Sequence, residues 1–447
     1  MINRKHSYIL STLILFSDLC FGQNAQLPQE YLSTCMPTST SKLTVCASGC
    51  DYNNNQLQQA LDNAPAGTEI VLQSGVNYTG NFILSEKAGS AWTIIRSSAL
   101  ALLPNQGTRV KPSDGSNMPK LLSPNNLGVI SCAKRAHHFR FIGIEFGVST
   151  AALGDANNGG FANTGLVRFG DFYETKLADQ GHDFVIDRCY VHGDPKKNTR
   201  RGMHLSSGRT AIIDSYFSDF HEIGADAQAI AVFNSPGPFK IVNNYLEASG
   251  ENMAVGGADP LIVNLVPADF EIRGNYFFKP FSWWTLHPSY NGYHWNVKNL
   301  FELKYGRRVL VDGNIFENNW VDGQTGTAIN LKTANQDGTN TLAITEDVTF
   351  SNNIVRHSGS AMTVNGKDPG VSQITSRINI FNNIFDDINS ITYGGASGQF
   401  VLVLNAAKDI HVDHNTSTQD GSILVSDGAA NLGFIFTNNI TQQNLYG

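Results

Sequence analysis

The sequence is short of charge. Only 15% of its 447 residues are Asp, Glu, Lys or Arg, against about 25% in a typical soluble chain. Because 41% are hydrophobic, the shortage excludes a disordered polyelectrolyte and a coiled coil. There is no basic excess: the formal net charge is −7, and nothing offers the basic face of a nucleic-acid binder. No apolar run reaches the roughly 20 residues needed to span a bilayer. Amphipathic helical periods are nearly absent, as are the Leu-rich and Trp-Asp signatures of leucine-rich and propeller arrays.

Turn formers are abundant instead. There are 42 Gly and 44 Asn, and both tolerate positive φ, so many short strands joined by tight turns are expected. At the N-terminus, Arg4, Lys5 and His6 precede the apolar run Tyr8–Phe16. This predicts a signal peptide over residues 1–22, cut after Gly22. A secreted, extracellular or periplasmic protein follows, with no membrane span and a leader segment over 23–45. Of the cysteines beyond Cys20, Cys46 and Cys50 are spaced to close a small disulfide loop, while Cys189 is expected to be buried and unreactive.

One pattern recurs: apolar, any, apolar, any, any, Asn-like, aromatic or aliphatic. It runs from Phe184–Tyr190 through copies keyed on Ser215, Asn244, Asn275, Asn314, Asn353, Asn383, Asn415 and Asn439, with a weaker copy at Phe139–Glu145. Successive key positions are 26, 29, 31, 39, 39, 30, 32 and 24 residues apart. Such a period means a solenoid, and its two longer steps predict loop insertions on one side. A second strand-like element lies between copies, for example Met203-His204-Leu205, Ala229–Val232 and Leu300–Lys304. Stacked parallel strands about 4.8 Å apart would align the Asn residues in a hydrogen-bonded column.

These repeats resemble the right-handed parallel β-helix of the pectin-lyase-like superfamily. The resemblance covers residues 46–447, including Gly49-Cys50-Asp51-Tyr52 and the amphipathic Leu57–Leu61. It implies an all-β domain with a short N-terminal capping helix. It also implies a polysaccharide partner bound along one sheet in a groove walled by loops, with β-elimination at a uronate or hydrolysis by paired carboxylates as the chemistry. The paired-Asp motifs of polygalacturonases and the Trp-x-Asp-His and Arg-x-Pro-x-x-Arg signatures of pectate lyases are missing, so no catalytic residue carries over. Only Ile440–Gly447 follow the last repeat, which suggests a solenoid end that is truncated or capped by a partner.

Three regions could carry chemistry. In 278–308, Trp283, Trp284, His287, Tyr293 and Trp295 could stack on sugars, Glu302 and Arg308 could bind substrate, and Lys304 or Arg307 could be the base. Glu302 and Lys304 share one face of a strand, outward if Phe301 and Leu303 point in. A basic role for Lys304 calls for adjacent cations such as Arg307 and Arg308. Packing of the tryptophans on the barrel wall is an equal alternative. Glu251 and Asp259 bracket a Gly-Gly turn and could bind calcium, or Asp259 could simply close the turn. His204 is the third catalytic candidate, expected near His221 among Arg200, Arg201, Glu222 and Asp226. The reading is a polysaccharide lyase for a uronate-containing glycan. The alternatives are a non-catalytic glycan-binding or adhesin-like surface protein and a glycoside hydrolase.

Overall fold

The computed structural model describes residues 24–149, 152–368, 370 and 373–444. The expected signal peptide lies outside them. Among the described residues, three parallel sheets of 14, 12 and 11 strands wind together. One coil shows the plan. Ala268–Arg273 lies in the first sheet, Tyr276–Phe278 in the second and Phe301–Leu303 in the third, and Gly306–Asp312 then returns to the first. The chain is a right-handed parallel β-helix, the hand expected for crossovers between parallel strands.

Each sheet sends apolar columns inward. Phe239, Phe270, Val309, Val348, Ile378 and Ile410 are register partners along the first sheet and are all buried. Met203, Ile230, Met253, Phe301, Ile329 and Met362 form a column of the third. At about 1.5–3 kcal/mol per buried side chain, these files supply the main driving force.

The predicted Asn column is present. The Asn244 amide donates to Asn275 Oδ1 (3.0 Å), Asn275 to Asn314 (3.0 Å), Asn314 to Asn353 (3.0 Å), Asn353 to Asn383 (3.1 Å), Asn383 to Asn415 (2.9 Å) and Asn415 to Asn439 (3.0 Å). The same oxygens accept backbone N–H groups of the preceding coil. Ser215 continues the column by accepting from the Cys189 N–H at 3.0 Å. The residue before each ladder member turns left-handed, as at Asp214, Asn243, Gly274, Gly313 and Asn352. Gly and Asn tolerate that conformation best, which explains the repeated Asn-Asn and Gly-Asn pairs.

The helix Leu57–Asn63 buries Leu57, Ala60 and Leu61 against the core, as the capping expectation required. It stops before Ala64, whose helical conformation Pro65 disfavours. Cys46 and Cys50 form the expected disulfide, and Cys189 is buried and free, its thiol pushed up to about 12 by desolvation. The leader acts as a strap across the first sheet. Gln26 N–H donates to Asp347, Gln29 N–H to Asp269, and Arg209 pairs with Glu30. Leu32 packs on Val185 and Ala211, and Arg140 donates to the Thr34 and Cys35 carbonyls at 3.0 Å. Strand Ser41–Cys46 then enters the first sheet.

Candidate functional site

The outward face of the third sheet carries the site. Because Phe301 and Leu303 point inward, Glu302 and Lys304 point out, as the alternation predicted. The register aligns Arg168, His204, Ala231, Ala254, Glu302 and Asn330 in one outward file. The small Ala254 in this file leaves a trough above the sheet, whereas Ala231 is fully covered. Beside them, Arg201, Gln228 and Glu251 are register partners. A cavity of about 120 Å³ opens here, lined by Arg201, Asp226, Gln228, Glu251, Glu302 and Lys304 among others.

Both long insertions border this sheet. The first, 279–300, carries Lys298 near its end, whose ammonium bridges Asp226 (2.7 Å) and Glu251 (2.8 Å). The second, 333–344, contributes Gln336 to the cavity wall. They leave from opposite edges of the sheet rather than from one side, and the groove lies between them.

The surroundings push the two glutamates in opposite directions. Burial opposes ionisation of Glu251, but Lys298, a hydrogen bond from Gln228 (2.7 Å) and Lys304 outweigh it and hold the carboxyl down at about 2. Desolvation and the nearby Glu251 push Glu302 up to about 7, against the pull of Lys304 at 3.4 Å and Lys332 at 3.9 Å. Asn330 donates to its Oε1 at 3.1 Å. Burial, with Arg201 and Arg168 close by, drives the His204 imidazole down to about 3. Its two ring nitrogens have no hydrogen-bond partner among the described residues.

Other candidates lie elsewhere. Arg307 and Arg308 follow the turn into the first sheet, where Arg307 pairs with Glu346 (2.8 Å) and Arg308 with Asp269 (2.7 Å). Neither lines the cavity, so the cations beside Lys304 are not those the spacing suggested. Trp283, Trp284 and Trp295 are buried with Trp320, Val297 and Tyr393 in a satellite core. They offer no open stacking face, and the wall-packing alternative is the arrangement found. Tyr293 stacks on Trp295 at 5.1 Å and donates to Asp155, and His287 stacks on Phe281 at 4.9 Å. His221 follows a second-sheet strand and stacks on Trp295 at 3.7 Å, so it does not face His204.

The calcium pair does not fit either. Asp259 accepts from the Thr339 N–H (2.8 Å) and hydroxyl (3.0 Å), tying its loop to the 333–344 insertion rather than closing its own turn, and does not line the cavity. Glu251 is already neutralised by the Lys298 ammonium. Lys279 carries no motif or periodic signal in the sequence that would single it out. Fully buried, its ammonium donates to the carbonyls of Ala248, Ser249 and Gly250 and to Asn252 Oδ1 at 2.7–2.9 Å. It fixes the turn that delivers Glu251.

No known protein-family model matches the chain, and no curated protein does. Solved structures are similar at low identity. An alginate lyase from a Paenibacillus species is 15% identical over 90% of this chain and 100% of its own, with a TM-score of 0.42. A mannuronic acid specific polysaccharide family 6 lyase from human gut microbiota is 12% identical over 90% and 87%, with a TM-score of 0.45. A polygalacturonase from Erwinia carotovora is 12% identical over 93% and 100%, with a TM-score of 0.44. At these identities and TM-scores the likeness says nothing of the chemistry.

Proposed function

We propose that the protein is a polysaccharide-active enzyme that cleaves a uronate-containing glycan by β-elimination in the third-sheet trough. One observation carries the reading: Arg201, Lys304, Glu251 and Glu302 line one outward cavity of an otherwise acidic protein, with Lys298 paired to its Glu251 and Asp226. Four cations, Lys332 included, face three acids there, and one of the acids is drawn toward its neutral form. An anionic sugar therefore meets a locally favourable field. Coils about 4.8 Å apart present a repeat comparable to one sugar ring, so a chain lying along the axis meets one row of side chains per residue.

In this mechanism Arg201 neutralises the uronate carboxylate. Lys304 first yields a proton to solvent; its neutral amine then takes the C5 proton and becomes the ammonium, the C4–O bond breaks as the C4–C5 double bond forms, and protonated Glu302 gives its proton to the departing oxygen. Lys298 supplies the fixed positive charge that keeps Glu251 ionised, so the reaction runs without calcium. A hydrolytic reading is favoured by a separate observation. Two carboxyls whose surroundings push them apart, Glu251 toward the ionised and Glu302 toward the protonated form, match the division of labour in acid–base pairs.

The test is to offer purified protein a panel of polyuronates and neutral glycans, following both unsaturated-product absorbance and new reducing ends. Absorbance from a polyuronate supports the lyase. Reducing ends without absorbance support the hydrolase. Binding without either product leaves a non-catalytic glycan binder and overturns the enzymatic reading.

A further inference from the structure

The first sheet carries a second cluster of chemistry-bearing side chains, remote from the trough in the coil. His138 belongs to strand His137–Ile142, and His182 and Asp183 to the adjacent strand His182–Asp187, in which His137 and His182 are register partners. His138, His182 and Asp183 each offer a donor atom, and these atoms lie within 4.8 Å of one another. Among the described residues no other group of three His, Cys, Asp or Glu side chains does so.

The backbone explains the meeting. His138 (φ 58°) and Asp183 (φ 57°) occupy the same left-handed position in successive coils, skipped by the strand pairing. A residue there is neither core nor ladder, so its side chain is free to turn outward beside that of the next coil. The rings then crowd: His137 stacks on His182 at 5.1 Å, and His138 meets His182 at 5.9 Å. His137 and His138 approach through their Nδ1 atoms at 2.8 Å, a contact that requires one nitrogen to be unprotonated. Asp183 is shared between His182 Nδ1 (2.7 Å) and Arg209 Nε (3.0 Å). Arg209 is itself paired with Glu30, so its charge is already compensated.

Two imidazoles and one carboxylate form the donor set of a borderline transition-metal site rather than of a calcium site, which takes oxygen ligands. All three side chains are half-buried, reachable from solvent yet packed enough to be held. We infer that His138, His182 and Asp183 bind one divalent transition-metal ion of the zinc class, which clamps two adjacent coils under the leader strap. Bonds of about 2.0–2.2 Å need the donors to draw together by small side-chain rotations. On binding, Asp183 exchanges its contact with His182 for one with the ion and keeps Arg209 on its other oxygen, as an outer-shell partner would.

The test uses tag-free, chelator-treated full-length protein titrated with zinc and with cobalt(II). The expected result is one saturable site, the strong visible absorbance of four-coordinate cobalt, and at least ~10-fold weaker binding in His182→Gln and in Asp183→Asn. Circular dichroism without metal checks that the variants fold. Should a variant fail to fold, the wild-type protein decides: zinc must shield His138 and His182 from diethyl pyrocarbonate, mapped by mass spectrometry. The absence of a saturable site, unchanged affinity in folded variants, or equal modification with and without zinc overturns the site. Glycan-cleaving activity does not enter any readout.

Discussion

The corner between the first and second sheets and the outward face of the third are built by opposite means. At the corner, one residue type recurs at one position, and every copy does the same work through short-range hydrogen bonds. On the third sheet's face, neighbouring positions differ: Ala254 floors the trough while Arg201, Glu251, Glu302 and Lys304 meet from three strands and a turn. Repetition specifies the scaffold, and departure from repetition marks the site. The contrast is sharpest at 304–308. Lys304 and Arg307 are three residues apart, yet the intervening turn sends one to the cavity and the other to an ion pair on another sheet.

That contrast can be broken by experiment. The largest effect is expected on turnover. Glu302→Gln and Lys304→Ala should each lower kcat by about 10²–10⁴-fold, the usual contribution of a proton-transfer residue, whereas Arg307→Ala should stay within a few-fold of wild type. Equal losses at 304 and 307 would erase the distinction between the two faces. Next comes stability. Asn314→Ala strips partners from the Asn275 and Asn314 corners and should cost about 1–3 kcal/mol for each buried group left unpaired, read by denaturant unfolding. Asn314→Ser should cost less, because Ser215 already serves as a ladder acceptor.

The glutamates give a smaller, signed effect. Glu302 is raised from 4.5 to about 7 in the fold. The native state therefore holds its proton more tightly, and this contribution to stability is present at low pH and lost as pH rises from about 4.5 through 7. Glu302→Gln should flatten that part of the stability profile. Glu251, lowered to about 2, acts in the other direction: its contribution is present above 4.5 and lost as pH falls toward 2. The smallest expected effect is none at all. Calcium added to metal-stripped protein should leave turnover unchanged, and a rate restored by calcium but not by zinc would refute the calcium-free scheme.

The scaffold was readable in the chain because its signals are periodic. Asn275, Asn314 and Asn353 sit 39 residues apart in sequence and one coil apart in space, so a single pattern exposed the whole fold. Glu302 and Lys304 were readable because alternation along one strand decides which way a side chain points. What escaped was contact between coils. Nothing in sequence joins Lys298 to Asp226, or Lys279 to the carbonyls of 248–250, because those distances depend on where each insertion leaves the helix. The tryptophan loop was misjudged for the same reason. Its composition suits sugar stacking and self-packing equally, and only the position of Trp320 and Tyr393 from later coils favours the second.

The leader has a bearing on how the molecule comes apart. A stack in which every turn touches only its neighbours can peel from an end, one winding at a time. Residues 26–35 reach from the strand of Asp347 back to that of Arg140, across the intervening strands that begin at 182, 208, 237, 268 and 306. Windings with no direct contact thus share one fastening, like pages sewn to a common spine, and this stretch is bound to melt as a block while the windings beyond Asp347 remain free to fray.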